Sequence, residues 1–287
     1  MMYSASVENK DGNVLVLTGV EEKWQIISIL GLAPAKAIVN TTNIAGMDGG
    51  VINSTKLETR NIVITLQITG DVESSRQELE DYFRTKQWCK FYYRNTNRNV
   101  YAEGYVDSFE CDLFEQGQKA QISIICPYPY FIDLTEIATV ISSVNGEFDM
   151  PWSIDENNPI PFSSYDYDRV TTIYNGSGSE IGEKIVISVL SGCNEVLIRN
   201  IDTGESIVLN YAFQTGDEVT VVTRKGQKRI TLKRNNVYTN LFSALQRGSV
   251  LFQLHTGANP ITFTVDNGTA NDAVEITFYY SAEYNGV

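Results

Sequence analysis

The stretch NIVITLQITGDVESSRQELEDYF, residues 61–83, changes period halfway along. In its first ten residues Ile62, Ile64, Leu66 and Ile68 fall on one side and Val63, Thr65, Gln67 and Thr69 on the other. That period of two marks a strand with one buried face, and the β-branched residues suit a pleated surface. From Asp71 onward the spacing becomes helical. Leu79 and Phe83, four apart, share a face with Arg76 and Tyr82 beside it. Ser74 or Ser75 is expected to accept from the free N–H groups of the first turn, with Glu78 and Glu80 toward the positive end of the helix dipole. Arg84 and Lys86 then stand at the C-terminal end.

Outward from this stretch, only the strand period recurs. It returns in AQISIIC (120–126), EVTVVTR (218–224), GSVLFQL (248–254), NPITFTVDN (259–267) and AVEITFYYSA (273–282). RNIDTGESI (199–207) and VVTRKGQKRITL (221–232) read as hairpins with glycine in the loop. A short helical turn is expected in TNLFSALQRG (239–248), stopped by Gly248. The predicted class is mainly β with one flanking helix.

The strand 120–126 runs into CPYPYF, residues 126–131. Pro127 and Pro129 donate no ladder bond, and each pushes its preceding residue toward extended geometry. Cys126, Pro127, Pro129 and Phe131 are therefore expected at a domain junction, with Tyr128, Tyr130 and Phe131 packing a rigid joint. The expected domains are 1–132 and 133–287. Pro151, Pro159 and Pro161 lie in DMPWSIDENNPIPFSSYDYD (149–168), expected as a long ordered acidic loop near the start of the second domain.

The chain has 287 residues, 35 acidic against 22 basic, and a formal net charge of −13. That balance argues against phosphate-mediated nucleic-acid binding, which needs a basic face. No apolar run reaches the roughly 18 residues that span a bilayer, so no membrane insertion is expected. The start, MMYSASVENKDG, lacks a basic region followed by an apolar one, so no secretory leader is expected. The four cysteines, Cys89, Cys111, Cys126 and Cys193, form no CxxC pair. They read as buried thiols of a protein made in a reducing cytoplasm, and no metal or cofactor is expected.

No catalytic constellation stands out. His255, the one histidine, is read as the polar end of a strand, on the face of Leu251 and Gln253. A triad would need partners placed by the fold. Cys126 has no base or cation beside it in sequence, so an inert thiol fits better than a nucleophile. The glycine loop Gly46, Met47, Asp48, Gly49 and Gly50 precedes a strand-like run and no helix, which excludes a phosphate loop. It is a candidate contact loop. Trp152, Arg169 and His255, near Asn157 and Asn158, are speculative sugar contacts, although no ordered lectin motif joins them.

Taken in order, GMDGG (46–50), LETRNIVITLQITGD (57–71), RQELEDYF (76–83), KFYYR (90–94) and NVYAEGYVDSFECDLFEQGQKAQISIICPYPYF (99–131) resemble the siphovirus-type phage tail component family, the distal tail proteins. The second half, chiefly GSVLFQLHTGANPITF (248–263), resembles that family's C-terminal β-sandwich in pattern. The resemblance implies a tail-tube-like N-terminal β-barrel or sandwich and a C-terminal galectin-like β-sandwich. It implies a structural, non-enzymatic role at the virion tail tip, after assembly in the bacterial host cytoplasm. Members commonly form hexameric rings that join the tail tube protein to the tail-associated lysin or hub protein and let DNA pass. A receptor-binding protein is a further implied partner. The alternative is a carbohydrate-binding module that contacts host cell-wall polysaccharide through the second domain.

Overall fold

The computed structural model describes residues 3–20, 22–46, 48–111, 117–142, 144–146, 163–165 and 170–287. The chain forms two compact units, residues 1–135 together with 283–287, and residues 136–282. The boundary falls at Thr135, and the last five residues return to the first unit. The second unit is thus shorter at both ends than the expected 133–287.

The first unit contains β1 (Ser4–Asn9), β2 (Val14–Val16), β3 (Trp24–Leu30), β4 (Ala37–Asn43), β5 (Gly50–Leu57), β6 (Arg60–Ile68), α1 (Val72–Tyr82), β7 (Trp88–Arg94), β8 (Asn99–Cys111), β9 (Lys119–Cys126) and β10 (Phe131–Asp133). Its main sheet runs β2-β1-β7-β8-β9-β6-β3. The inward positions of β6 are Ile62, Ile64, Leu66 and Ile68, as the alternation requires, and all are buried. They pack with Val7, Trp24, Leu79, Phe91, Ile122, Ile124 and Phe131 in one core. Each such side chain contributes about 1.5–3 kcal/mol.

Helix α1 begins three or four residues earlier than Ser74 or Ser75 as its cap would set it. Asp71 is the N-cap residue in extended geometry, so Ser74 and Ser75 lie inside the first turn. Ser75 is buried there. No basic residue stands in the last turn, because the helix ends at Tyr82, before Arg84. Tyr82 instead anchors the helix, donating its hydroxyl to the carbonyl of Asn13 at 2.6 Å.

The second unit contains β11 (Ile137–Ser142), β12 (Val144–Gly146), β13 (Ser163–Tyr165), β14 (Thr171–Asn175), β15 (Lys184–Val189), β16 (Cys193–Asn200), β17 (Ser206–Phe213), β18 (Glu218–Val222), β19 (Arg229–Arg234), β20 (Val237–Asn240), β21 (Gly257–Val265) and β22 (Val274–Tyr280). Sheets β11-β22-β15-β18-β19-β20 and β14-β21-β16-β17 face each other. Ile185, Ile187, Val219 and Phe278 from one meet Val196, Ile198, Leu209 and Phe263 from the other in one core. The two hairpins expected from glycine loops are β16–β17 and β18–β19.

Two expectations change here. GSVLFQL forms no strand. Consecutive Leu251 and Phe252 are both buried, which breaks the alternation, and a single bridge from Leu254 to Ile181 is its only ladder contact. The turn in 239–248 is a 3-10 turn of three residues, Phe242–Ala244. Pro151, Pro159 and Pro161 lie outside the described residues.

The last short strand, β23 (Glu283–Tyr284), belongs to the first unit. It pairs antiparallel with β10, and β10 pairs with β8 on its other side. CPYPYF is therefore a turn within one sheet system. The prolines end β9 at Cys126, and the chain re-enters at Phe131, which is fully buried.

Candidate assembly surfaces and site residues

The first unit carries an arm. Strands β4 and β5 form a two-stranded sheet of their own, joined through Gly46, Asp48, Gly49 and Gly50 at the tip. Gly46 and Gly49 take positive φ, +87° and +91°, which favours glycine at both places. Met47 lies outside the described residues. Nearly every residue of both strands is exposed. Side-chain bonds such as Asn40 Nδ2 to Ser54 Oγ at 2.9 Å tie the strands together. Val39, Ile44, Val51 and Ile52 nevertheless point into solvent. A lone two-stranded hairpin is marginal in water, so such an arm gains stability when covered. The ends of the main sheet, β2 and β3, also expose apolar residues: Val14 and Val16 on one, Ile27 and Leu30 on the other.

Arg60 fixes the root of the arm. It opens β6 and is only 2% exposed. Its Nε donates to the carbonyl of Pro129 at 2.8 Å, Nη1 to that of Ala33 at 2.7 Å and Nη2 to that of Asn285 at 2.5 Å. Nη1 also donates to the carbonyl of Gly31. The guanidinium lies over the Phe131 ring, 4.2 Å from its centroid. Burial pulls its pKa below the ordinary arginine value, with the neighbouring Cys126 opposing. The planar fork donates from three separate nitrogens to four carbonyls, a spread that the single ammonium of a lysine cannot reproduce. Beside it, a pocket of about 370 Å³ opens between residues 31–36 and 58–61, lined by Pro34, Lys36, Glu58 and Arg60.

The same fastening holds the returning tail. Arg98 donates to the carbonyl of Gly286 and stacks 4.3 Å from the Tyr284 ring centroid. The Tyr284 hydroxyl reaches Asp133 Oδ2 at 3.2 Å, and the Val287 amide reaches the Leu32 carbonyl at 3.0 Å. Tyr128 donates to Glu283. The arginines were missed in sequence. Arg60 had a signal: it continues the inward register of Ile62, Ile64, Leu66 and Ile68.

Cys126 is buried and unbonded to sulfur, and burial pushes its thiol up to about 12. Cys89 is likewise pushed to about 12 and Cys193 to about 11, both first by burial. Cys111 is half-buried.

In the second unit His255 is held by its backbone: Asn259 Oδ1 accepts from its amide at 3.0 Å, and Asn259 Nδ2 donates to its carbonyl at 2.8 Å. Its Nδ1 is buried without a partner among the described residues. Of the three proposed sugar contacts, Trp152 and Arg169 lie outside the described residues. Glu183 is buried completely. Its backbone pairs with Thr223, and burial pushes its carboxyl up to about 8. Among the described residues no group of histidine, cysteine and carboxylates could hold a metal, and no helix is long and apolar enough to cross a membrane.

Residues 23–126 match the phage tail protein RIFT-related domain family, and residues 180–284 match the family described as siphovirus-type tail component, C-terminal domain. The class these define is a structural component of a phage tail. The chain belongs to the siphovirus-type tail component family, as a distal tail protein.

Among solved structures, the Dit protein of phage SPP1, described as a paradigm of the hub adsorption apparatus of phages infecting Gram-positive bacteria, matches with a TM-score of 0.69 at 14% identity. The match covers 99% of this chain and 100% of that one. The activated baseplate of phage P2 with calcium matches with a TM-score of 0.60 at 14% identity, over 100% of both chains. Its strontium form gives 0.58 at 14% identity, over 98% of this chain and 99% of that one. No curated protein sequence matches.

Proposed function

We propose that this protein forms a closed ring, a hexamer, at the end of the tail tube. The ring joins the tube to the tail-associated hub and receptor-binding components and lets DNA pass. It carries no catalytic activity. The observation that carries this reading is the arm with its uncovered apolar residues, set in a unit whose sheet ends at two apolar edges. Contacts that pair one end of a subunit with the opposite end of the next are heterologous, and they close into rings when the rotation allows. Edge strands otherwise invite uncontrolled pairing, so a defined neighbour resolves that hazard. The glycine tip is the contact loop, and the arm reaches across to the neighbouring copy.

The net charge of −13 supports an acidic bore, which would repel phosphates at short range and leave DNA free to slide. Images of the purified protein by electron microscopy test the ring. Rings with a central opening lined by carboxylates support it, and a basic bore sinks the DNA-passage claim.

A further inference from the structure

The second unit presents one uncovered strand beside the chain's densest basic segment. Residues 224–234, RKGQKRITLKR, hold Arg224, Lys225, Lys228, Arg229, Lys233 and Arg234 and no acid, in a chain of net charge −13. Lys225 pairs with Glu180, Lys233 with Glu218 and Arg234 with Asp217. Lys228 and Arg229 are exposed and make no ion pair among the described residues.

Strand β20 ends this sheet, and all four of its residues are exposed, Val237 at 62% and Tyr238 at 67%. Its open edge can be assigned atom by atom. Asn235 and Asn236 take φ of +52° and +62° in a two-residue turn, so Arg234 and Val237 form the first hydrogen-bonded pair of the hairpin. Such pairs alternate along an antiparallel ladder, placing Leu232–Thr239 and then Ile230–Leu241 in the bonded class. The Leu241 amide does donate to the Ile230 carbonyl, at 2.9 Å. The backbone N–H and C=O groups of Tyr238 and Asn240 therefore face outward, with no strand beside them among the described residues. Tyr238 stands across from Lys233, on the face that also carries Arg229.

The geometry points to a docking edge: an extended acidic segment of a partner polypeptide adds as a strand beside β20, bonded through Tyr238 and Asn240, with carboxylates on Lys228 and Arg229. Main-chain bonds supply the pairing and the alternate side chains supply the selection. Complementary charge steers the encounter. This inference does not rest on the ring reading.

The test titrates the full chain with a synthetic peptide of alternating threonine and glutamate, followed by fluorescence anisotropy. The comparison probe is the same peptide N-methylated on every residue, which keeps the charge and leaves no amide N–H to pair on either edge. The first peptide should bind at least about tenfold more tightly than its N-methylated twin, since the twin forfeits the two backbone bonds its amides would donate to Tyr238 and Asn240. The double variant Lys228→Glu, Arg229→Glu should weaken it about tenfold, with most of that loss at low salt. Tyr238→Pro should remove binding. If that variant loses its fold by circular dichroism, the N-methylated probe still carries the test. Equal binding of the two peptides would reduce the edge to a charged patch, and absence of binding would overturn the proposal. A fall in oligomer mass on Tyr238→Pro would also overturn it, by assigning the edge to a second copy of the chain.

Discussion

Arg60 lies flat on Phe131, its guanidinium carbon 4.2 Å from the ring centroid, and from there it bonds carbonyls of Gly31, Ala33, Pro129 and Asn285. Four separated parts of the first unit thus meet on one side chain: the segment leading to the arm, the start of β6, the proline turn and the returning tail. A buried charge is stable only when its donors are satisfied, and here backbone oxygens satisfy them with no carboxylate among these partners.

Replacing Arg60 with alanine leaves those carbonyls without their donor and empties the space over Phe131. The expected loss is about 3–5 kcal/mol in the stability of the first unit. Arg60→Lys keeps the charge but not the fork, and should cost about 2 kcal/mol or more. Urea unfolding followed by tryptophan fluorescence reads both, because Trp24 is buried in the same core.

The tail contributes through Tyr284. Tyr284→Ala removes the stacking on Arg98 and the bond to Asp133. The expected cost is about 2–3 kcal/mol. Amide exchange should show faster opening at β10, the strand that β23 covers, with β18 and β19 unaffected.

Glu183 makes the second unit sensitive to pH. Its folded pKa, about 8, lies above the ordinary 4.5, so the folded state holds the proton more tightly than the unfolded one. Stability from this group is fully present below about 4.5, falls as pH rises toward about 8, and levels off above. The total is on the order of a few kcal/mol. Glu183→Gln keeps the neutral shape, so it should flatten that slope and raise the melting temperature at pH 7.5. An unchanged slope in the variant would count against this account.

The cysteines give a simple check on burial. With Cys89 and Cys126 pushed to about 12 and Cys193 to about 11, native protein should react with a thiol reagent at Cys111 alone, the one half-buried thiol. All four should react in denaturant. Rapid native labelling of Cys126 would contradict the packing of the β9 end.

Much of the core was legible because burial on one face writes itself as alternation. Ile62 to Ile68, and likewise Val219 and Val221, occupy the positions their period assigns. Arg60 continues the same register but is charged, so its inward place is visible only once the register is extended one step. GSVLFQL misled because Leu251 and Phe252 are apolar for the sake of an irregular buried segment, and an apolar run does not distinguish that from a strand. The pairing of Phe131 with Tyr284 had no local trace. A two-residue strand is too short for a period, and its partner lies at the far end of the chain. The strand after the glycine loop was legible, but the exposure of the arm on both faces was not, because Val39, Val51 and Ile52 resemble core residues in sequence.

The central claim is that the arm joins copies of this chain into a ring, and native mass spectrometry of the full protein against an arm-less form tests it most directly. In the variant, residues 38–56 are replaced by an Asn-Gly turn, which closes the strands at their root. The account predicts a hexamer for the wild-type chain and a folded monomer for the variant. A wild-type chain that stays monomeric at high concentration, or an arm-less variant that still forms the same ring, would contradict it.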